Sequence, residues 1–187
     1  YFGEYIRAPW AKMLSRKIIE DNKIRFDEKL YIGEDAMFLL EYFNNAKNVK
    51  FINKYNNIYR ISSTSAVGRY KNDLDSQVII QLKKINNLIN NIEGKDIDTL
   101  KLVITKFYLN SIYELIYNYN FKGKNSKSEF NLSNFIKCTK VDITNLKLNL
   151  LSNREKLMYI LVRYNQIRLL ELISKMIIIL KYKKYRK

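Results

Sequence analysis

The apolar rhythm of the chain changes near residue 70, and that change limits the fold more than any other feature. From residue 70 onward the pattern is long and helical. Val78, Leu82, Ile85, Ile89 and Ile92 recur in alternating steps of four and three, the spacing of one helix face. Gly94 then ends that helix, and Asp96 or Asp98 can cap the next. The following stripe is Leu100, Ile104, Phe107, Ser111, Leu115 and Tyr119. Residues 123–128 read as a polar loop. A short helix near Leu132–Lys140 follows and carries Cys138 as a small buried side chain. Ser152 caps a helix through Leu157, Ile160, Leu161 and Tyr164, and a last helix spans about Ile167 to Tyr182.

Before residue 70 the pattern changes every few residues, as it does in mixed α and β structure. Ser15 reads as the N-cap of a short helix over residues 16–21, with Asn22 as a left-handed stop. Ile24 and Phe26 alternate with charged neighbours in a short extended stretch. Gly33 precedes Glu34-Asp35 and an amphipathic helix with the stripe Ala36, Leu39, Leu40, Phe43 and Ala46. Val49 to Ile52 and Tyr55 to Ile61 read as two strands, followed by a Ser/Thr loop over 62–65. The expected fold class is mainly α with a small α/β portion, divided as residues 1–69 and a helical extension over 70–187.

At 187 residues and 47% apolar, the chain fits one domain, or one and a part, with enough apolar mass for a core. An aromatic content of 13% argues against disorder. There is no His, which excludes Ser-His-Asp and Cys-His nucleophile systems and imidazole metal ligands. The lone Cys138 cannot form an internal disulfide. Acid–base chemistry falls to carboxylates, Lys or Tyr.

The net charge is +16 and unevenly placed. Residues 1–69 carry 12 Lys and Arg against 8 Asp and Glu, whereas residues 70–187 carry 22 against 10. Two readings of the basic rear half stand together: an anionic neighbour such as a membrane surface or polyanion, and a solvated Lys-rich helical surface. Abundant Lys, Ile and Asn also fit a codon bias. The chain does not begin with Met and shows no leader, so an upstream segment is expected.

The motif with most chemical content is Ile32-Gly33-Glu34-Asp35-Ala36-Met37-Phe38. Two acids at a helix start satisfy free N–H groups and the helix dipole, which is a purely structural role. The same placement also keeps a carboxylate ionised and fixed in direction, as a base for a hydroxyl nucleophile must be.

Around this motif stand Trp10-Ala11-Lys12-Met13-Leu14, Ile24-Arg25-Phe26-Asp27-Glu28, Tyr59-Arg60-Ile61 and Thr64-Ser65. In this order the set, over about residues 7–68, resembles the carboxyl-terminal part of the catalytic domain of family 2 glycosyltransferases, which have the GT-A fold. The resemblance implies the acceptor-side part of a GT-A fold followed by a helical bundle. It implies that Asp35 is the general base of an inverting transfer, and that Glu34 orients the site or binds acceptor hydroxyls. Trp10 would be an apolar wall against a sugar ring, with core packing the other reading. Lys12 and Arg60 would meet the donor diphosphate, with solvated surface charges the other reading.

The implied partners are a nucleotide-diphosphate sugar and a glycan or lipid-linked acceptor. A divalent metal, Mn or Mg, is expected in the full-length enzyme and none is expected on this segment. Enzymes of that kind carry a D-x-D motif upstream of the Glu-Asp pair. Here Asp73-Leu74-Asp75 and Asp96-Ile97-Asp98 lie downstream and read as caps and surface acids. The segment alone is therefore expected to lack transferase activity, and residues 1–69 to be partly ordered or paired with another chain, including a second copy of this one.

Residues 169–180 are nearly all apolar, and Lys181, Lys183, Lys184, Arg186 and Lys187 follow. This stretch is too short and charged to span a bilayer. It reads either as a core helix with a solvated basic tail or as a peripheral membrane contact over 167–187, which would place the protein in the cytoplasm on the inner face of the membrane. A basic helical module binding membrane or nucleic acid without catalysis is the alternative function.

Overall fold

The computed structural model describes residues 8–52, 58, 70–90, 97–122, 130–139, 141 and 148–184. Its elements are the helices α1 (Arg16–Asp21), α2 (Glu34–Asn45), α3 (Leu74–Asn90), α4 (Ile97–Tyr117), α5 (Leu132–Thr139), α6 (Asn153–Arg163) and α7 (Ile167–Lys184). A π-helical turn, Asn118–Lys122, continues α4, and a 3-10 turn, Leu148–Leu150, precedes α6. The fold is mainly helical, and among the described residues there is no strand.

Helix α4 forms the axis of the fold. Leu109, Ile112, Leu115 and Ile116 are fully buried, with Tyr108 and Thr105 beside them. A broad buried surface on a helix demands several neighbours, and α3, α6 and α7 supply them, while Glu114 on the remaining face is exposed. The main core joins Leu74, Val78 and Leu82 of α3 to Met158, Tyr159 and Leu161 of α6 and to Leu170 and Ile178 of α7. The single stripe read from sequence was too narrow for a helix covered by three neighbours.

Helix α2 is buried on two sides, which moves its face away from the expected stripe. Ala36 and Met37 pack with Leu30, Ile85 of α3 and Ile104 of α4. Phe38, Leu39 and Tyr42 pack instead with Ile24 over α1. Leu40, Phe43 and Ala46 are only half-buried. On α6 the buried residues are Glu155, Met158, Tyr159 and Leu161, whereas Leu157, Ile160 and Tyr164 are exposed.

Helix ends follow local chemistry. Ser152 makes the expected cap of α6 as a capping box: its hydroxyl accepts from the Glu155 N–H, and the Glu155 carboxylate accepts from the Ser152 N–H at 2.8 Å. Ser15 precedes α1 but makes no side-chain cap. The left-handed residue that stops α1 is Lys23 (φ 52), not Asn22 (φ −101). Lys23 N–H donates to Glu20 O and Ile24 N–H to Ile19 O, the two bonds of a Schellman stop. Asn165 (φ 55) ends α6 in the same way, with Asn165 N–H donating to Val162 O and Gln166 N–H to Leu161 O.

Two further expectations are corrected. Val49 to Ile52 is not a strand: Val49, Phe51 and Ile52 are exposed, with no ladder partner among the described residues. Over the expected extended stretch there is neither helix nor strand; Ile24 closes the α1 stop and is buried, while Phe26 stacks on Phe38 at 4.3 Å. Cys138 is exposed rather than buried. It lies about 100° around α5 from the line of Leu132, Phe135 and Thr139 that faces the core. Gly94, Gly123 and most of residues 53–69, including the second expected strand, lie outside the described residues.

Candidate functional site at the start of helix α2

The Gly33-Glu34-Asp35 turn is positioned by α3. One turn apart on α3, Gln77 and Gln81 are both buried. The Gln77 amide accepts from Tyr31 N–H at 3.2 Å and donates to Lys29 O at 3.2 Å. The Gln81 amide donates to Ile32 O at 2.9 Å. Next along the same face, Lys84 pairs with Asp27 at 2.9 Å and with Glu41 at 3.6 Å. The loop 27–33 is thus tied to α3 through its own backbone, which would otherwise carry unsatisfied buried groups. The Lys84 pairing, followed by the Lys29 N–H bond, holds the Asp27 carboxyl below the usual carboxylate range.

Gly33 occupies the N-cap of α2 with φ +73. A Cβ there would lie 2.8 Å from the Gln81 Oε1. Glycine is required twice, by the left-handed backbone and by the approach of Gln81. Glu34 and Asp35 then form the first turn of α2, both half-buried. Asp35 Oδ1 accepts from the Ala36 N–H at 2.7 Å. Asp35 makes no ion pair among the described residues.

Two lysines face these acids. Lys12 is half-buried, and its ammonium donates to Ala8 O and lies 5.9 Å from the Trp10 ring centre. Burial lowers the Lys12 pKa, and the charge of Asp35 opposes that shift. Trp10 itself is exposed, so it is not a core residue. Between them Ala11 adopts φ 57, a left-handed conformation that costs an alanine about 1–2 kcal/mol. The second lysine is Lys71, lowered by burial and raised by the charges of Glu114 and then Glu34.

The backbone of Lys71 is held by a buried amide. Asn118 accepts from Lys71 N–H at 3.0 Å and donates to Lys71 O at 2.6 Å. Next to it, Tyr119 donates to Asp75 at 2.7 Å and packs flat on Phe130 at 4.4 Å. Burial, then the bond to Asp75, pushes the Tyr119 phenol well above its usual pKa. These contacts use the π-helical turn after α4, a distortion that often marks a position under special demand.

The structure thus brings together Trp10, Lys12, Glu34 and Asp35, and adds Lys71 and Glu114, which sequence reasoning missed. Nothing in the local pattern marks Lys71, because its neighbours come from α2 and α4. Arg60 lies outside the described residues. Asp73 accepts a hydrogen bond from the Tyr31 hydroxyl and Asp75 one from Tyr119, consistent with structural acids. Among the described residues no cluster of three or more acidic or Cys side chains can hold a metal. An open cleft of about 870 Å³ lies elsewhere, lined by Tyr119, Phe130, Ser133, Gln166, Arg168 and Glu171 among others, and none of the sequence-predicted site residues lines it.

The charge of Lys12 acts on Asp35 and that of Lys71 on Glu34, and a carboxylate near a cation can accept a proton from a neutral hydroxyl while the cation attracts an anionic leaving group. No family model, curated protein or solved structure compared with this chain matches it.

Proposed function

We propose that this chain is the acceptor-side part of an inverting glycosyltransferase that uses a nucleotide-diphosphate sugar, with Asp35 as the general base. The observation that carries the reading is the placement of Asp35: half-buried on the first turn of α2, unpaired among the described residues, with its direction set by Gly33 and α3. Asp35 takes the proton of the acceptor hydroxyl as that oxygen attacks the anomeric carbon. Glu34 binds acceptor hydroxyls, and the exposed face of Trp10 receives the sugar ring. Lys12 and Lys71 offset charge on the departing nucleoside diphosphate, and Arg60 is assigned the same role from sequence.

A Mn or Mg ion, when bound by the full-length enzyme, would supply further charge on the diphosphate. The described residues offer no cluster to hold it, so no step here depends on it. The acceptor class is a glycan or a lipid-linked glycan, and the site of action is the cytoplasmic side of the membrane.

The test is release of nucleoside diphosphate from a panel of nucleotide-diphosphate sugars by the full-length protein, with and without oligosaccharide acceptors. Acceptor-dependent release is the expected result. Absence of release across the panel, by folded protein supplied with Mn and Mg, would overturn the reading.

A further inference from the structure

Helix α7 has two apolar faces. Leu170, Ser174 and Ile178 are buried against the core, with Ile173 and Ile177 packed at its margin. The opposite face is also apolar and stands in solvent: Leu169 is 44% exposed, Leu172 57%, Met176 54%, Ile179 45% and Leu180 66%. At 100° per residue these five side chains fall within about 100° of the helix surface, so they form one stripe. The core already has its share of α7, and this second stripe is left without a partner among the described residues.

The border of the stripe carries more basic than acidic residues, and a run of basic residues follows in sequence. Arg168 and Lys175 flank it on one side. Glu171, the acid of that border, is already paired with Lys175 at 2.6 Å. The helix backbone continues to Lys184 and takes in Lys181, Lys183 and Lys184, and Arg186 and Lys187 follow in sequence. No helix among the described residues is long and apolar enough to cross a membrane.

We infer that the outer face of α7 docks on an anionic lipid surface, with the helix lying in the plane of the interface. Charge decides between a lipid surface and a second copy of this chain. A second copy would set the cationic borders of two +16 chains against each other. An anionic bilayer accepts the five apolar side chains into its acyl boundary and neutralises the lysines at the headgroup level. This inference stands apart from the proposed transfer reaction, because it rests on α7 alone and is read without an activity assay.

The experiment is flotation of the full chain with phosphatidylcholine vesicles, with and without about one third phosphatidylglycerol. Binding to the anionic vesicles that weakens with added salt is expected, and pure phosphatidylcholine should bind roughly tenfold more weakly or less. The double variant Leu172→Gln/Met176→Gln should lose roughly tenfold or more in affinity while keeping its circular dichroism, since both side chains already face solvent. Lys183→Gln/Lys184→Gln leaves the apolar stripe intact and should lose roughly fivefold per lysine at low salt. The inference fails if the unaltered chain ignores anionic vesicles, binds neutral ones equally, or is indifferent to the Leu172/Met176 change. It also fails if light scattering shows a lipid-free dimer that the same change dissociates.

Discussion

Replacing Gly33 by Ala tests whether α3 sets the geometry of the candidate site. At φ +73 a Cβ is strained whatever the space around it, at a cost of about 1–2 kcal/mol. The same Cβ would stand 2.8 Å from Gln81 Oε1, so the amide must move. Moving it endangers the 2.9 Å bond to Ile32 O, and a buried polar group left without its partner costs about 1–3 kcal/mol. The expected destabilisation is therefore about 2–5 kcal/mol. Urea unfolding followed by circular dichroism reads it as a lower midpoint at constant slope. In a Gln81→Ala background the steric part disappears, and Gly33→Ala should cost only the dihedral share, about 1–2 kcal/mol. Equal losses in the two backgrounds would refute the claim that Gln81 of α3 holds this turn.

Two other substitutions test the helical body. Thr105 is fully buried on α4 and its hydroxyl has no hydrogen-bond partner among the described residues; Thr105→Val should raise stability by about 1 kcal/mol, and a loss of stability in urea would show an unrecognised partner. Ser152→Ala removes the α6 capping box and should cost about 1–2 kcal/mol near neutral pH. Burial disfavours the Glu155 charge, but its bonds to the Ser152 N–H and hydroxyl outweigh that and hold the carboxyl below its usual value. A depressed folded-state value contributes stability above the unfolded value of about 4.3, and that stability fades as pH falls through the folded one. The gap between the unaltered protein and Ser152→Ala should therefore narrow on acidification from pH ~6 to ~3, as read from paired urea titrations. A gap that widens would contradict the assigned sign.

The helices were legible in the sequence because their signals are local. Ser152 was legible as the start of α6 because a cap works within one turn, and the structure adds Glu155 as its partner. Helix faces were less legible. A stripe reports one buried side, whereas α2 and α4 are each covered from more than one direction. Val49, Phe51 and Ile52 have strand-forming side chains, but a strand is made by its neighbour and none is present among the described residues. For the candidate site, Gly33, Glu34 and Asp35 were visible as a turn followed by a charged first helical turn. Gln77, Gln81 and Lys71 were not. The two glutamines act on backbone groups 46 to 49 residues away, and no pattern within α3 separates them from ordinary surface amides. Lys71 is set beside Glu34 and Glu114 by packing of α2 and α4, which only the folded chain reveals.

The central claim is that Asp35 removes the proton from the attacking hydroxyl. Its most direct test is the kcat of acceptor-dependent transfer by the full-length Asp35→Asn protein, measured beside the Kd for the nucleotide-diphosphate sugar. The account predicts a fall in kcat of about 10²–10⁴-fold, with donor affinity held within about twofold. Near-normal turnover by a folded Asp35→Asn protein would contradict it.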